Sequence, residues 1–348
     1  MDKRNEIFRK REYNALDILK LVLSVLVMLI HTGIDKTVIS PLLRIAVPLF
    51  FIISSYFFFL KIEKMSDEQG RRNALIHFVK RNLLLYLLWS AVQLPIILYV
   101  RGYYRDFSWR DLLLFLKELL LGSSFTGSWY IMALVIGTVF IYYLSKKISP
   151  ARLVVITLPI YVLCCFATNY WNLFEDGGVL HTFILGYRKY MGVVFYTSFP
   201  VSFFWISVGC LFAKWRKAFK FPSLIVMLAA SALLLAAERV LIVMCGLAVT
   251  DDCYFSLMLF CPVLFLLVRQ CGFTLNSRFR IREISVLIYV THGAVGRVIG
   301  FLLKKAPWSI FHGEAPKLIL SFLLIVLLGQ LVTYLKDRYS AKIFRYLC

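Results

Sequence analysis

His31 closes an apolar run that opens at Leu16 (LDILKLVLSVLVMLIH), and Arg44 stands at the head of the next one (LRIAVPLFFIISSYF). A histidine titrates near neutrality and can take up and return a proton. A guanidinium keeps its charge and can hold a carboxylate, a phosphate or a developing oxyanion. Ionisable groups inside lipid-spanning segments are costly, so two of them beside one short polar link, 33–40, point to a site. Asp17, Lys20, Ser24 and His31 are spaced so that, at about 100° per residue, they share one arc of roughly 60° on a helix. Such a stripe must face protein or water, because lipid would leave its groups unsatisfied.

The same arithmetic places further polar groups at depth. At 1.5 Å per residue, His31 is about 21 Å beyond Asp17, Glu238 and Arg239 about 24 Å along their own run, and Arg297 about 20 Å along its run. His292 falls nearer the middle. If these segments are neighbours, one half of the bundle holds a charged cavity centred on histidine and arginine. Blander roles fit the same residues. His31 can be a histidine hydrogen-bonded between helices, and Arg44 can snorkel to headgroups. Glu238 with Arg239 can be a structural pair, and Trp129 an interfacial aromatic. Asp17 and Lys20 can simply anchor the first helix, while Lys80 and Arg81 can serve topology alone. From these residues, enzyme and transporter stay equally open.

The elements that carry them are long and apolar. Of 348 residues, 60% are hydrophobic, against roughly 45–50% in soluble domains. Mean hydropathy is +0.77. Runs long enough to cross a hydrocarbon core of about 30 Å are predicted at 16–34, 38–60, 82–100, 128–145, 151–169, 191–213, 222–247, 254–269, 283–303 and 316–336. The expected fold is therefore all-α, a polytopic membrane bundle of about ten helices. The segment WRDLLLFLKELLLG, between Arg101 and Gly127, is too short to span and amphipathic enough to lie in the interface. The stretch from Tyr170 to Tyr190, with Glu175, Asp176, Gly177-Gly178 and His181, reads as a polar outer loop.

A formal charge of +21 is here a matter of topology. With a cytoplasmic N-terminus, roughly 26 basic residues fall inside against about 10 outside, which favours an even number of spans and both termini in the cytoplasm. The basic residues form no single stripe, so nucleic acid is not an expected partner; the lipid bilayer is. The eight cysteines show no metal-ligand spacing and no disulfide framework, and no metal site is expected. One domain is expected over 1–348, with a basic cytoplasmic N-terminus (1–15) and a cytoplasmic tail (337–348). The first apolar run lacks a small-residue cleavage site and reads as a retained helix.

The order of short motifs resembles the integral-membrane acyltransferase 3 family. Its opening Leu-Asp-x-Leu-Arg to histidine is matched by Leu16-Asp17-Ile18-Leu19-Lys20 and His31. Its Arg-x-x-Val-Pro-Phe-Phe-Phe-x-x-Ser-Gly is matched by Arg44 through Ser54, followed here by Ser55. A basic entry at Phe78-Val79-Lys80-Arg81, the stretch from Ser128-Trp129-Tyr130 to Leu134, and a late Ser285, Tyr289, His292 follow in family order. Three positions depart: Lys20 replaces an arginine, Ser55 a glycine, and Gly293 a proline. Ser55 bears on how closely another backbone can approach. The chain is also similar to the membrane part of vancomycin-resistance serine racemases in RIAVPLFFIIS, in Glu238 followed by Asp251 and Tyr254, and in Arg188 ahead of an aromatic span.

The resemblance implies an acyltransferase of a bacterial inner membrane, with O-acetyl transfer from cytoplasmic acyl-CoA to a hydroxyl of a cell-envelope saccharide at the outer face. Acyl-CoA would be the donor substrate, and no bound cofactor is expected. His31 would be the general base, and Arg44 would stabilise the oxyanion or hold the donor. Lys20, Lys80, Arg81 and His292 are expected to bind the donor, and Trp129, Arg188, Glu238, Arg239 and Asp251 the acceptor. The racemase likeness keeps a second expectation alive: a transport module for a small polar molecule such as serine. An inactive or accessory member of the family is the third.

Overall fold

The computed structural model describes residues 3–34, 38–102, 108–122, 124–215, 219–271, 280–305 and 313–339. Among them there is no strand. The order is α1 (Lys3–Ile30), α2 (Ser40–Leu43), α3 (Ala46–Ile62), α4 (Glu68–Val92), α5 (Leu94–Arg101), α6 (Trp109–Leu121), α7 (Trp129–Leu144), α8 (Pro150–Phe166), α9 (Val179–Met191), α10 (Phe199–Lys214), α11 (Phe221–Met244), α12 (Leu257–Gln270), α13 (Ile281–Lys304) and α14 (Glu314–Tyr339). Five helical segments among the described residues are long and apolar enough to cross a membrane, and four shorter apolar helices accompany them.

Why some of these helices sit inside and others outside follows from their faces. Within its most apolar window, Ser40–Ile62 is 72% buried, whereas the comparable windows of α11 and α14 are 17% and 22% buried. The aromatic-rich α3 is the axis: α10, α1 and α12 pack on it, α10 also contacts α8 and α7, and α13 joins α1 to α14. The α11 and α14 faces carry exposed Val, Leu and Ile, as helices at the rim of a lipid-embedded bundle should.

Ser55 shows how α3 accommodates a residue larger than glycine. Its hydroxyl bonds back to the carbonyls of Phe51 (2.7 Å) and Ile52 (3.2 Å) in its own helix. Close approach is supplied from the other side, by Gly209 of α10, where an added Cβ would run into the Ser55 hydroxyl and stand 2.6 Å from the Ile52 carbonyl oxygen. The small residue has moved to the partner helix.

Three expected boundaries change. The run 82–100 is not one helix: the chain turns at Gln93, before Pro95, and continues as α5. Pro95 removes a backbone donor and disfavours a helical residue before it. Gln93 is buried and donates to the Val290 carbonyl (2.8 Å), fixing the break against α13. The run 191–213 begins as helix only at Phe199. The outer loop expected over 170–190 contains the helix α9, which starts after the Gly177-Gly178 turn. Polar residues at its start masked the apolar face formed by Leu180, Ile184 and Tyr187, which pack against the core. The amphipathic α6 forms as expected, with a Ser108–Asp111 capping box and no buried residue.

Candidate functional site

Three cavities between the helices hold six of the expected site residues, divided among them: Lys20 and Arg81, Arg44 and Trp129, and His31 and His292. The largest of the three, about 350 Å³, is lined by α1, α3, α4, α7 and α13. At one end it carries Lys61, His77, Arg81 and Arg282, with Lys20 on α1. At the other end it is lined by Phe50, Ser54, Tyr130, Tyr289 and Val290. Lys61 to Phe50 is about 16 Å along α3, so the cavity runs from a cationic mouth to an aromatic wall. No carboxylate is among the described residues that line it. Lys20 pairs with Asp17 (3.0 Å), one turn back on α1.

One turn beyond that wall lies a second cavity of about 150 Å³, lined by His31, Thr126, His292, Arg297, Lys317 and Ser321 among others. His31 stands just past the last residue of α1 and is exposed. Its ring stacks on His292, with centroids 5.0 Å apart and planes at 28°. His292 is 3% exposed, and its Nδ1 lies 2.7 Å from the Tyr289 carbonyl oxygen. A carbonyl only accepts, so Nδ1 carries the proton and, in the neutral ring, the lone pair is on Nε2. That Nε2 is buried without a hydrogen-bond partner. His292, expected to bind the donor, is placed beside His31.

The two cavities are separated by the turn before α7. Gly127, at φ +81, puts its carbonyl where the Tyr289 hydroxyl donates to it at 2.5 Å. Thr126 accepts from Arg297 (3.1 Å) and packs against Gly293, where an added Cβ would stand 2.5 Å from the Thr126 Cβ. A glycine is needed at 293 for this contact.

Arg44 belongs to a third cavity, of about 50 Å³, with Trp129, Tyr196, Trp205 and Asp252. Its guanidinium pairs with Asp252 at 2.7 Å. The single cavity expected around His31 and Arg44 is therefore divided: among the described residues no cavity is lined by both, and Ile30, next to His31, faces the Arg44 side. His31 stacks against α13, whereas Arg44, just past α2, faces Asp252.

Glu238 and Arg239 take different partners. Glu238 is buried and accepts from the Tyr170 hydroxyl (2.8 Å), the Phe255 and Ser256 amides (2.7 and 2.8 Å) and the Ser256 hydroxyl. It thus occupies the N-terminus of α12, where the helix dipole favours an anion. Arg239 pairs with Asp251 (2.5 Å), which also accepts from Ser40 (3.3 Å). Of the remaining expected residues, Trp129 joins Arg44, and Arg81 and Lys20 line the basic cavity. Lys80 and Arg188 are exposed and line none of the three. Lys61, His77, Arg282, Tyr130 and Tyr289 were missed as a set. The first three look like ordinary topology charges in sequence, and only the helix packing joins them.

Among the described residues no cluster of histidine, cysteine or acidic side chains can hold a metal. The family profile described as "Acyltransferase domain" matches residues 13–336. The chain belongs to the acyltransferase 3 family. An amino-acid racemase of Enterococcus faecalis is 23% identical over 188 residues, covering 50% of this chain and 24% of that protein. A serine/alanine racemase of Enterococcus gallinarum is 25% identical over 142 residues, covering 41% of this chain and 20% of that protein. The matched region thus spans about a quarter or less of these curated relatives. No solved structure matches. As a member of the acyltransferase 3 family with several apolar helices long enough to span, the chain is a multi-pass membrane protein.

Proposed function

We propose that this protein transfers an acyl group, in first place acetyl, from cytoplasmic acyl-CoA to a hydroxyl of a cell-envelope saccharide at the outer face of a bacterial cytoplasmic membrane. The chain crosses about ten times with both termini inside. The observation that carries this reading is the basic-mouthed cavity ending one helical turn from a stacked histidine pair. Lys61, Arg81, Arg282 and Lys20 meet the phosphates of coenzyme A through charge-assisted contacts. The pantetheine arm lies along the cavity and brings the thioester towards the hydroxyls of Ser54 and Tyr130, which are 3.1 Å apart.

The acceptor oxygen attacks the thioester carbonyl carbon, forming a C–O bond as the C–S bond breaks. The hydroxyl proton passes to the His31–His292 pair, and the leaving thiolate takes up a proton to become free coenzyme A. General-base help of this kind is worth about 10²–10⁴-fold. Arg44, paired with Asp252 beside Trp129, binds the acceptor in this scheme. The test is incorporation of labelled acetyl from acetyl-CoA into the envelope saccharide fraction of membranes carrying the protein. His31→Ala and Arg44→Ala should abolish it while the protein still inserts. Full incorporation by His31→Ala membranes overturns the base assignment.

A second reading, transport of a small amino acid, is favoured by the Arg44–Asp252 pair. One cation and one anion facing the same small cavity complement a zwitterion. Uptake of labelled serine into proteoliposomes without acyl-CoA supports it, and its absence alongside coenzyme A binding favours the enzyme.

A further inference from the structure

We propose that Phe50, Tyr130 and Tyr289 form a wall that sets the length of the acyl group this protein accepts, admitting two carbons and rejecting long chains. The inference rests on the acyl-CoA reading above and adds to it the identity of the acyl class and the residues that choose it. A donor held by its phosphates at the cationic mouth enters the cavity with its acyl end leading. The acyl end is therefore the part that meets the wall.

The wall has no slack. The three ring centroids are mutually 5.4–5.8 Å apart with planes at 54–67°, one tilted and two edge-to-face contacts that pack the rings closely on one another. All three residues are at most 8% exposed. Each tyrosine is tethered at its far end, Tyr130 to Ser54 (3.1 Å) and Tyr289 to the Gly127 carbonyl (2.5 Å). Behind Tyr130 lies Phe51, with ring centroids 4.6 Å apart. An added methylene at the wall must therefore displace a packed and tethered ring, and packed interiors resist such insertion. Discrimination of about 10–200-fold is ordinary for a single methylene in an apolar pocket. Phe50 is the one member of the wall without a polar tether, so its truncation opens space with least disturbance to the rest.

The experiment measures competition by unlabelled coenzyme A, acetyl-CoA, butanoyl-CoA and octanoyl-CoA against labelled coenzyme A on the purified full chain in nanodiscs. For the wild type, coenzyme A and acetyl-CoA should compete within about threefold of each other, and octanoyl-CoA about 100-fold less well. Phe50→Ala should improve octanoyl-CoA relative to coenzyme A by at least about tenfold. The milder Phe50→Leu should shift butanoyl-CoA in the same direction. A wild type that takes octanoyl-CoA as well as acetyl-CoA overturns the wall, and that result needs no variant. Folded Phe50 variants with an unchanged chain-length ratio overturn it too. Failure of coenzyme A itself to bind instead removes the donor reading, and the wall with it.

Discussion

Around the turn from Asp251 to Ser256 each acidic side chain meets its match: Asp252 with Arg44, Asp251 with Arg239, and Glu238 with four donors at the head of α12. The basic cavity is built the other way. Lys20, Lys61, Arg81 and Arg282 line it with His77, none of its described lining residues is acidic, and Lys20, though paired with Asp17, lies within reach of the positive charge of Arg282 and Arg81. Matched charge inside a bundle serves the fold, because removing one partner strands the other. Concentrated like charge opposes the fold, and under the proposed function the phosphates of the donor would offset it. The two regions should therefore respond in opposite ways to the loss of a charge.

The largest expected effect is at the matched end. Glu238→Ala leaves two amides and two hydroxyls without their acceptor, and the cost should be on the order of 3–5 kcal/mol. Glu238→Gln keeps a neutral acceptor and should cost less than half as much. Thermal unfolding in detergent measures both. A Glu238→Ala protein that melts within about 2 °C of wild type breaks the comparison.

Next comes the basic cavity. Arg282→Ala and Lys61→Ala should each weaken coenzyme A binding by about 10–100-fold, the worth of one hydrogen bond to a charged group. Neither should lower the melting temperature, and Arg282→Ala should raise it slightly by relieving repulsion on Lys20. Binding and melting are read on the same sample. A variant that loses stability and keeps its affinity would show that these cations are structural after all.

How far this contrast was legible beforehand depends on range. Most of the apolar runs fall on helices because run length and period are local properties, though 82–100 is split at Gln93 and 191–213 is helical only from Phe199. The 109–121 helix was marked by its amphipathic pattern. His31 and Arg44 stood out because charge beside apolar runs is costly wherever it occurs. Their partners were hidden. Nothing local distinguishes Asp252 from Asp251, yet the turn into α12 gives the first to Arg44 and the second to Arg239. The aromatic wall was invisible for the same reason: Phe50, Tyr130 and Tyr289 come from three helices, and each alone is an ordinary membrane aromatic. For Glu238 the sequence offers an adjacent arginine, while its partners are 17 or more residues away.

The Arg44–Asp252 pair lies between the two extremes and sharpens the comparison. It is matched, like the rest of its region, but both side chains remain 21–25% exposed and face a cavity. Partial exposure weakens an ion pair, so Asp252→Asn should cost only about 1 kcal/mol of stability, far below Glu238→Ala. If the pair is there for the fold alone, acetyl transfer should fall no further than that loss of folded protein accounts for. If Asp252 orients Arg44 towards the acceptor, transfer should drop by about tenfold or more at saturating acetyl-CoA, with coenzyme A affinity untouched. Arg44→Lys separates charge from geometry: it keeps the cation and the pairing with Asp252 but loses the planar fork, so a positioning role predicts a loss of transfer that a purely structural pair does not.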